Sequence, residues 1–158
     1  MLLFTPTKTF DSILQVTPEV LREMSVTALI LDIDNTMTTH DNPVPLEGLD
    51  KWLESMRQSG IKMMIVSNNY SERVTPFAEL LGLDFVPRGA KPLTKGYKEA
   101  AARLGVPKSS ICTIGDQLFT DILGAKLFGI KSILVEPIEP ERTLFFRIKR
   151  ALERPFRG

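Results

Sequence analysis

The sequence predicts a doubly wound α/β domain with a mostly parallel sheet of five strands. A helical stretch, a glycine and a short apolar run recur four times along the chain, as in WLESMRQSG followed by IKMMIV. A glycine at such a position suits the left-handed residue that ends many helices. The apolar runs are rich in Ile, Val and Leu and are too short for helices. Apolar strands that alternate with helices are typical of a parallel sheet covered on both faces.

The predicted elements begin with a helix over TPEVLREM, in which Thr17 is the N-cap and Pro18 takes the first helical position. Five strands follow, with helices between them, at 28–33, 61–66, 84–86, 110–115 and 131–135. Ligands of a doubly wound sheet gather at the carboxyl ends of its strands. The residues that directly follow each strand are therefore the candidate site residues.

Composition places the chain among ordinary globular proteins. Its 158 residues are 43% apolar and 25% charged, which fits one domain over 1–158 and excludes disorder. A single cysteine indicates a reducing, cytoplasmic compartment, and one cysteine with one histidine excludes a zinc site of the usual kind. No apolar run approaches the roughly 20 residues of a membrane helix. The start, MLLFTPTKTF, has no basic segment before its apolar run, so we expect no signal peptide.

Charge is distributed unevenly, because residues 141–158 carry a net charge of +4 and residues 1–140 carry −3. In the tail, Leu144, Ile148 and Leu152 repeat at helical spacing, with arginines on other faces. This pattern predicts a basic amphipathic helix, and two interpretations stay open. The helix lies on an anionic membrane surface or packs its apolar stripe on its own domain, and both can hold if only some of its apolar residues dock.

The first strand is followed by Asp32, Asp34, Asn35 and Thr36. Alternation in an extended segment puts Asp32 and Asp34 on the same side. Two crowded carboxylates are tolerated when a cation lies between them or when one holds a proton. Mg²⁺ is the natural cation, because it takes hard oxygen ligands and usually one or two carboxylates. The alternative is an ordinary polar turn, in which Asp and Asn are common.

The second and third strands are followed by groups that can bind a phosphoryl oxygen. Ser67 and Asn68 offer a hydroxyl and an amide, and Lys91, before Pro92, offers a point charge on a loop. Each has an ordinary alternative, as a helix cap or as a solvated surface lysine.

The fourth strand ends at Asp116, and Asp121 comes five residues later, near the start of the next helix. A carboxylate at the end of a buried strand is costly unless it is paired or bound to a metal, although either residue could simply cap that helix. A parallel sheet brings all four strand ends to one crevice. Together they predict a Mg²⁺-dependent phosphoryl site with a carboxylate nucleophile. His40, on a loop nearby, is a further candidate for contact with the substrate.

The ordered set Asp32/Asp34, Ser67, Lys91 and Asp116/Asp121 resembles the four motifs of the haloacid dehalogenase (HAD) superfamily of phosphatases. Three short stretches narrow the resemblance to one group of the superfamily. The stretches are Gly-Asp-Gln-Leu-Phe-Thr-Asp at 115–121, Asp-Asn-Thr after the first strand and Ala-Lys-Pro at 90–92. They are similar to the YqeG-type group of subfamily IIIA, which is related to mitochondrial phosphatidylglycerophosphate phosphatases. The resemblance covers roughly residues 10–150 and implies a Rossmann-like sheet.

The resemblance also implies a role for each site residue. Asp32 would attack phosphorus and form an aspartyl phosphate. Asp34 would protonate the leaving oxygen, which requires a proton on Asp34 at the start, and would then deprotonate the attacking water. The carboxylates of Asp32 and Asp116 and the backbone carbonyl of Asp34 would hold Mg²⁺. The groups implied to bind phosphate are Ser67, Lys91 and Asn68. Those implied to support the site from next to the metal are Asp121, Gln117, Thr36 and Asn35.

The spacing leaves no room for a cap domain over the site. About 10 residues separate Thr36 from the next predicted helix near Leu46, and four lie between Val86 and Lys91. An open site suits a phosphate carried by something large. The favoured substrate is a phosphatidylglycerophosphate-like lipid, met by a cytoplasmic protein that is peripheral at the inner membrane surface.

Two other functions stay open, and the oligomeric state is left undetermined. The same enzyme could act on a soluble phosphate or a phosphoprotein. A non-enzymatic module that accepts phosphate on an Asp, like a receiver domain, is disfavoured because its acceptor would follow a middle strand. The third strand, which is the middle one here, is followed by Pro87 and Arg88 and not by an Asp. No nucleic-acid partner is expected.

Overall fold

The computed structural model describes residues 2–139 and 151–156 of the chain. Its sheet has six strands in the order β1-β6-β5-β2-β3-β4, and every neighbouring pair is parallel. The strands are β1 Lys8–Phe10, β2 Ala28–Leu31, β3 Lys62–Val66, β4 Asp84–Val86, β5 Ile111–Gly115 and β6 Lys131–Val135. The helices are α1 Pro18–Glu23, α2 Leu49–Gln58, α3 Ser71–Leu81, α4 Lys95–Leu104 and α5 Leu123–Phe128. A π-helical turn at Leu118–Ile122 leads directly into α5.

The predicted fold class is confirmed, and the sheet has one strand more than the five predicted. The additional strand, β1, lies at the edge of the sheet and pairs with β6 alone. Its three residues, Lys-Thr-Phe, are not buried, so they form no apolar run that a sequence pattern could reveal. The first predicted strand, 28–33, ends at Leu31, although Asp32 still donates its backbone N–H to the Ile114 carbonyl.

The core lies on both faces of the sheet, because alternate residues of each strand point in opposite directions. In β2, Leu29 and Leu31 pack on the side of α1, α2 and α3, while Ala28 and Ile30 pack on the side of α4 and α5. Strands β2 and β5 are buried throughout. The two central strands therefore present their carboxyl ends from a rigid scaffold.

The core includes one face of α2 and the single cysteine of the chain. Trp52, Leu53 and Met56 lie on the buried face of α2, and the indole N–H of Trp52 donates to the Val16 carbonyl over 2.8 Å. Cys112 is fully buried in β5, and burial raises the pKa of its thiol well above the usual range. A thiol of this kind is chemically inert in the folded protein.

The two segments where a cap domain could be inserted hold no such domain in the structure. The chain runs from β2 to α2 through residues 32–48, and from β4 to α4 through residues 87–94. Both are connections of loop length, as the sequence predicts. Among residues 2–139 and 151–156, no helix combines the length and the apolar character that a membrane span requires.

Most of the predicted tail helix, 141–158, lies outside the described residues. In the part that is described, Glu153 is fully buried and accepts a hydrogen bond from the Phe119 backbone N–H over 3.2 Å. The Phe156 ring lies 6.2 Å from that of Phe119, whereas Leu152 is exposed. These contacts support the interpretation that the tail packs on its own domain, here through Glu153 and Phe156.

Candidate active site

The carboxyl ends of β2, β3 and β5 meet at an open cavity of about 470 Å³. Six of the ten predicted site residues line it, namely Asp32, Asp34, Ser67, Asn68, Lys91 and Gln117. The other four are buried, namely Asn35, Thr36, Asp116 and Asp121. His40 also lines this cavity, with its ring 3.6 Å from the Asp41 carboxylate. We call this cavity the catalytic cavity.

Lys91 joins several groups at the site. Its Nζ lies 2.6 Å from Asp121 Oδ1, 3.1 Å from Asp32 Oδ1 and 2.9 Å from the Val66 carbonyl oxygen. The side chain is only 3% exposed. Burial alone would lower the pKa of Lys91, but the two carboxylates outweigh burial and raise it well above the usual range. Lys91 is therefore a fixed positive charge at the base of the cavity and not the solvated lysine of the alternative interpretation.

Asn68 holds the backbone of Lys91 in place. Its side-chain NH₂ donates to the Lys91 carbonyl over 2.9 Å, and its side-chain oxygen accepts the Lys91 backbone N–H over 2.7 Å. The sequence predicts Asn68 as a phosphate ligand, but these bonds turn its carboxamide towards the lysine loop. Asn68 thus fixes the lysine loop, and it also lines the catalytic cavity, so its prediction as a phosphate ligand stays a prediction.

Three carboxylates form a compact cluster next to Lys91. Asp32, Asp116 and Asp121 each offer an oxygen within 4.8 Å of the others. The Thr36 hydroxyl lies 3.4 Å from both Asp32 Oδ2 and Asp116 Oδ1. Burial, together with the charge of Asp121, raises the pKa of Asp32 to about 7, against the opposing effect of Lys91. Three acids and one lysine leave excess negative charge that a divalent cation would neutralise, so this donor set suits a hard cation.

Asp121 reaches this cluster because of two local features. The π-helical turn Leu118–Ile122 brings its carboxylate back over the end of β5, where Oδ2 accepts the Gln117 backbone N–H over 3.2 Å. A Cβ at Gly115 would overlap the Asp121 carboxyl group. Only glycine at residue 115 leaves the space that this approach requires. The sequence places Asp121 next to the metal, and the structure places it among the candidate ligands.

Asp34 also lines the catalytic cavity and is held by a residue that sequence analysis missed. Arg73 Nη2 is 3.0 Å from Asp34 Oδ1, and the Asn69 side-chain NH₂ is 3.3 Å from Oδ2. Arg73 is the third residue of α3 and comes seven residues after the end of β3, so the residues that directly follow the strands do not include it. The charge of Asp34 is one of those that raise the pKa of Asp32.

The remaining predicted residues have distinct positions. Ser67 directly follows β3, and its hydroxyl oxygen accepts the Asn69 backbone N–H over 3.0 Å. Within the described residues its hydroxyl hydrogen has no acceptor, so it is available to a ligand in the cavity. Asn35 is buried with a positive φ of 61°, and its side-chain oxygen accepts the Glu139 backbone N–H. Asn35 therefore fixes the loop after β2 against the chain beyond β6.

Comparison with known proteins identifies the class. A family model described as haloacid dehalogenase-like hydrolase matches residues 8–129. The chain is 38% identical over 151 residues to a protein of Bacillus subtilis strain 168 named "Probable phosphatase YqeG", covering 96% of this chain and 88% of that protein. The chain belongs to the haloacid dehalogenase-like hydrolase family. The predictions of this family and of a phosphatase are both confirmed.

Solved structures agree on the fold. A 4-nitrophenylphosphatase from Thermotoga maritima superposes with a TM-score of 0.61 at 14% identity, covering 83% of this chain and 91% of that one. A protein from Listeria monocytogenes serotype 4b gives a TM-score of 0.61 at 22% identity, covering 75% and 85%. At these identities the likeness establishes the fold alone.

Proposed function

We propose that the protein is a Mg²⁺-dependent phosphomonoesterase that acts through an aspartyl phosphate on Asp32, with a phosphatidylglycerophosphate-like lipid as the favoured substrate. The observation that carries the proposal is the group around Lys91. Asp32 faces the catalytic cavity, and the same lysine joins it to Asp121 within the three-carboxylate cluster. A nucleophilic carboxylate beside a fixed cation is the arrangement that phosphoryl transfer to an Asp requires.

In the first step, an Asp32 carboxylate oxygen attacks phosphorus and the bond from phosphorus to the leaving oxygen breaks. Asp34, which lines the same cavity, gives its proton to that oxygen. In the second step, water attacks the phosphorus of the aspartyl phosphate and transfers a proton to Asp34. The P–O bond to Asp32 breaks, and the enzyme is restored with release of inorganic phosphate.

Ser67 and Lys91 bind the phosphoryl oxygens. The free hydroxyl hydrogen of Ser67 and the buried ammonium of Lys91 stabilise negative charge as it develops. Asp32, Asp116 and the backbone carbonyl of Asp34 would hold Mg²⁺, with Asp121 beside them. The ion would supply charge neutralisation at the phosphoryl group.

The open catalytic cavity supports a large substrate. Neither connection after β2 or after β4 is long enough for a cap, so the site lies open at the surface. A phosphate on a lipid headgroup can reach such a site from a membrane surface. The basic tail 141–158 supports peripheral contact of a cytoplasmic protein with that surface. A soluble phosphate or a phosphoprotein is the second candidate substrate.

The test is phosphate release from phosphatidylglycerophosphate in mixed micelles, beside a generic aryl phosphate, with and without Mg²⁺. We expect Mg²⁺-dependent release from the lipid and much slower release from the aryl ester. Release from the aryl ester alone would keep the mechanism and discard the lipid. Release that is unchanged in the presence of EDTA would contradict the metal assignment.

Arg73→Gln should slow turnover by up to about 100-fold without a matching rise in KM, because it frees Asp34 from the contact that orients it. The loss should be large for alkyl phosphates, whose leaving oxygen needs a proton. It should be small for a nitrophenyl ester, whose leaving oxygen does not. Arg22→Gln, which removes an exposed arginine from α1, is the matched control. An equal loss on both classes of ester would mean that Arg73 does not act through Asp34.

A further inference from the structure

A second cavity, of about 700 Å³, adjoins the catalytic cavity. Asn68 and Tyr70 line both. The rest of its wall comes from residues 86–90, after β4, and from the first turns of α4. A substrate whose phosphoryl group lies at Asp32 can therefore extend into this second cavity, which we call the adjoining cavity.

The adjoining cavity is lined by two cations that have no acidic partner in the described part of the chain. Arg88 and Lys95 both line it, and neither has an acidic partner among residues 2–139 and 151–156. Its one acidic lining residue, Glu99, already has a partner, since Arg103 Nη1 lies 3.5 Å from Glu99 Oε2. Two cations in the wall of one cavity favour an anionic ligand there.

Arg88 is held at the boundary between the two cavities. Its guanidinium lies 5.3 Å from the centre of the Tyr70 ring, and Tyr70 lines both. Its backbone N–H donates to the Asn69 carbonyl over 2.8 Å. Arg88 and Ala90 both have left-handed backbone conformations, with φ of 52° and 58°. Non-glycine residues seldom adopt this conformation without support from their surroundings, so the direction of this loop is set by the fold.

We propose that the adjoining cavity binds a second anionic group on the leaving-group side of the substrate, such as a phosphodiester or a carboxylate, through Arg88 and Lys95. This inference rests on the proposed function, because it assumes that the phosphomonoester lies in the catalytic cavity. The headgroup of a phosphatidylglycerophosphate-like lipid carries such a group, since a glycerol links its phosphomonoester to a phosphodiester. Soluble phosphates with a second charged group share the same chemistry.

The first test is equilibrium binding, which does not depend on turnover. Alkane bisphosphonates of increasing chain length are titrated calorimetrically against the full-length protein with Mg²⁺, beside alkyl monophosphonates of matched length. We expect the best bisphosphonate to bind at least about tenfold more tightly than its monophosphonate, a difference of about 1.4 kcal/mol. Arg88→Gln with Lys95→Gln should remove this preference. The control, Arg22→Gln with Lys98→Gln, removes two exposed cations elsewhere and should keep it.

The second test measures hydrolysis of the corresponding phosphate esters. The Arg88→Gln, Lys95→Gln variant should raise KM for bisphosphates to the monophosphate value and leave kcat unchanged. The KM of this variant for phosphatidylglycerophosphate micelles separates the two sources of the second anion. A raised KM indicates a lipid source, and an unchanged KM indicates a soluble one. If monoesters are hydrolysed but no chain length is preferred, or if the variant keeps the preference, the inference is overturned and the proposed function stands. If the bisphosphonate preference is present but no ester is hydrolysed, the anion site stands and the proposed function fails.

Discussion

Asp32→Asn is expected to abolish phosphate release while leaving the protein folded. Removal of a catalytic nucleophile typically lowers kcat by about 10⁴-fold or more, because no other group can form the covalent intermediate. Thr36 and Asp116 do not offer a substitute, since the first is a buried hydroxyl and the second a fully buried carboxylate. The measurement is Mg²⁺-dependent phosphate release by wild type and variant on the same substrate.

The fold should tolerate this change because burial and the nearby carboxylate of Asp121 disfavour the ionised form of Asp32. Burial and Asp121 raise its pKa from the usual 3.8 to about 7, so its ionised form lowers stability in the metal-free protein. That penalty grows as pH rises from 3.8 towards 7 and is fully present above 7. Asn avoids the charge, so the stability of the variant relative to wild type should be highest above pH 7.

Asp50→Asn is the matched control for this prediction, because Asp50 is an exposed acid in the first turn of α2. It should leave both turnover and the free energy of unfolding nearly unchanged, within about 0.5 kcal/mol. Undiminished turnover in Asp32→Asn would refute the aspartyl phosphate. A variant that is both inactive and unfolded would show that Asp32 has a structural role that the charge argument omits.

The parts of the site that the sequence predicts are those fixed by topology. Parallel strands bring their carboxyl ends to one edge, so Asp32, Ser67 and Asp116 follow from strand positions alone. Lys91 required one further step, since a lysine before a proline on a loop is not explained by helix propensity. The structure brings all four to one place because the sheet order puts β2 between β5 and β3.

What the sequence did not reveal depends on side-chain direction and on contacts across the fold. Arg73 lies inside a helix, and nothing in its local pattern shows that it reaches Asp34. The carboxamide of Asn68 could equally well face a ligand or the neighbouring loop, and only the path of residues 87–91 decides between them. Strand β1 has too few apolar residues to be distinguished from a loop until β6 is there to pair with it.

Lys91→Met is expected to be the most destabilising single substitution at the site. It would leave the carboxylates of Asp32 and Asp121 without the ammonium that lies 3.1 Å and 2.6 Å from them. Breaking a buried ion pair by removing one partner typically costs about 3–5 kcal/mol. Urea unfolding of the metal-free proteins measures the loss. Lys95→Met, which changes an exposed lysine at the start of α4, should stay within about 0.5 kcal/mol of wild type.

The origin of that loss is separable by a double-mutant cycle with Asp121→Asn. If the cost is that of an unpaired buried carboxylate, Lys91→Met combined with Asp121→Asn should be more stable than Lys91→Met alone, by about 1 kcal/mol or more. Mg²⁺ should also restore part of the stability of Lys91→Met, since a divalent cation supplies the missing positive charge at the same cluster. Additive losses, with no response to Mg²⁺, would mean that Lys91 stabilises the fold through packing and its bond to the Val66 carbonyl and not through the acids. The cluster would then be less charged than three ionised carboxylates imply, and the case for a divalent cation there would weaken with it.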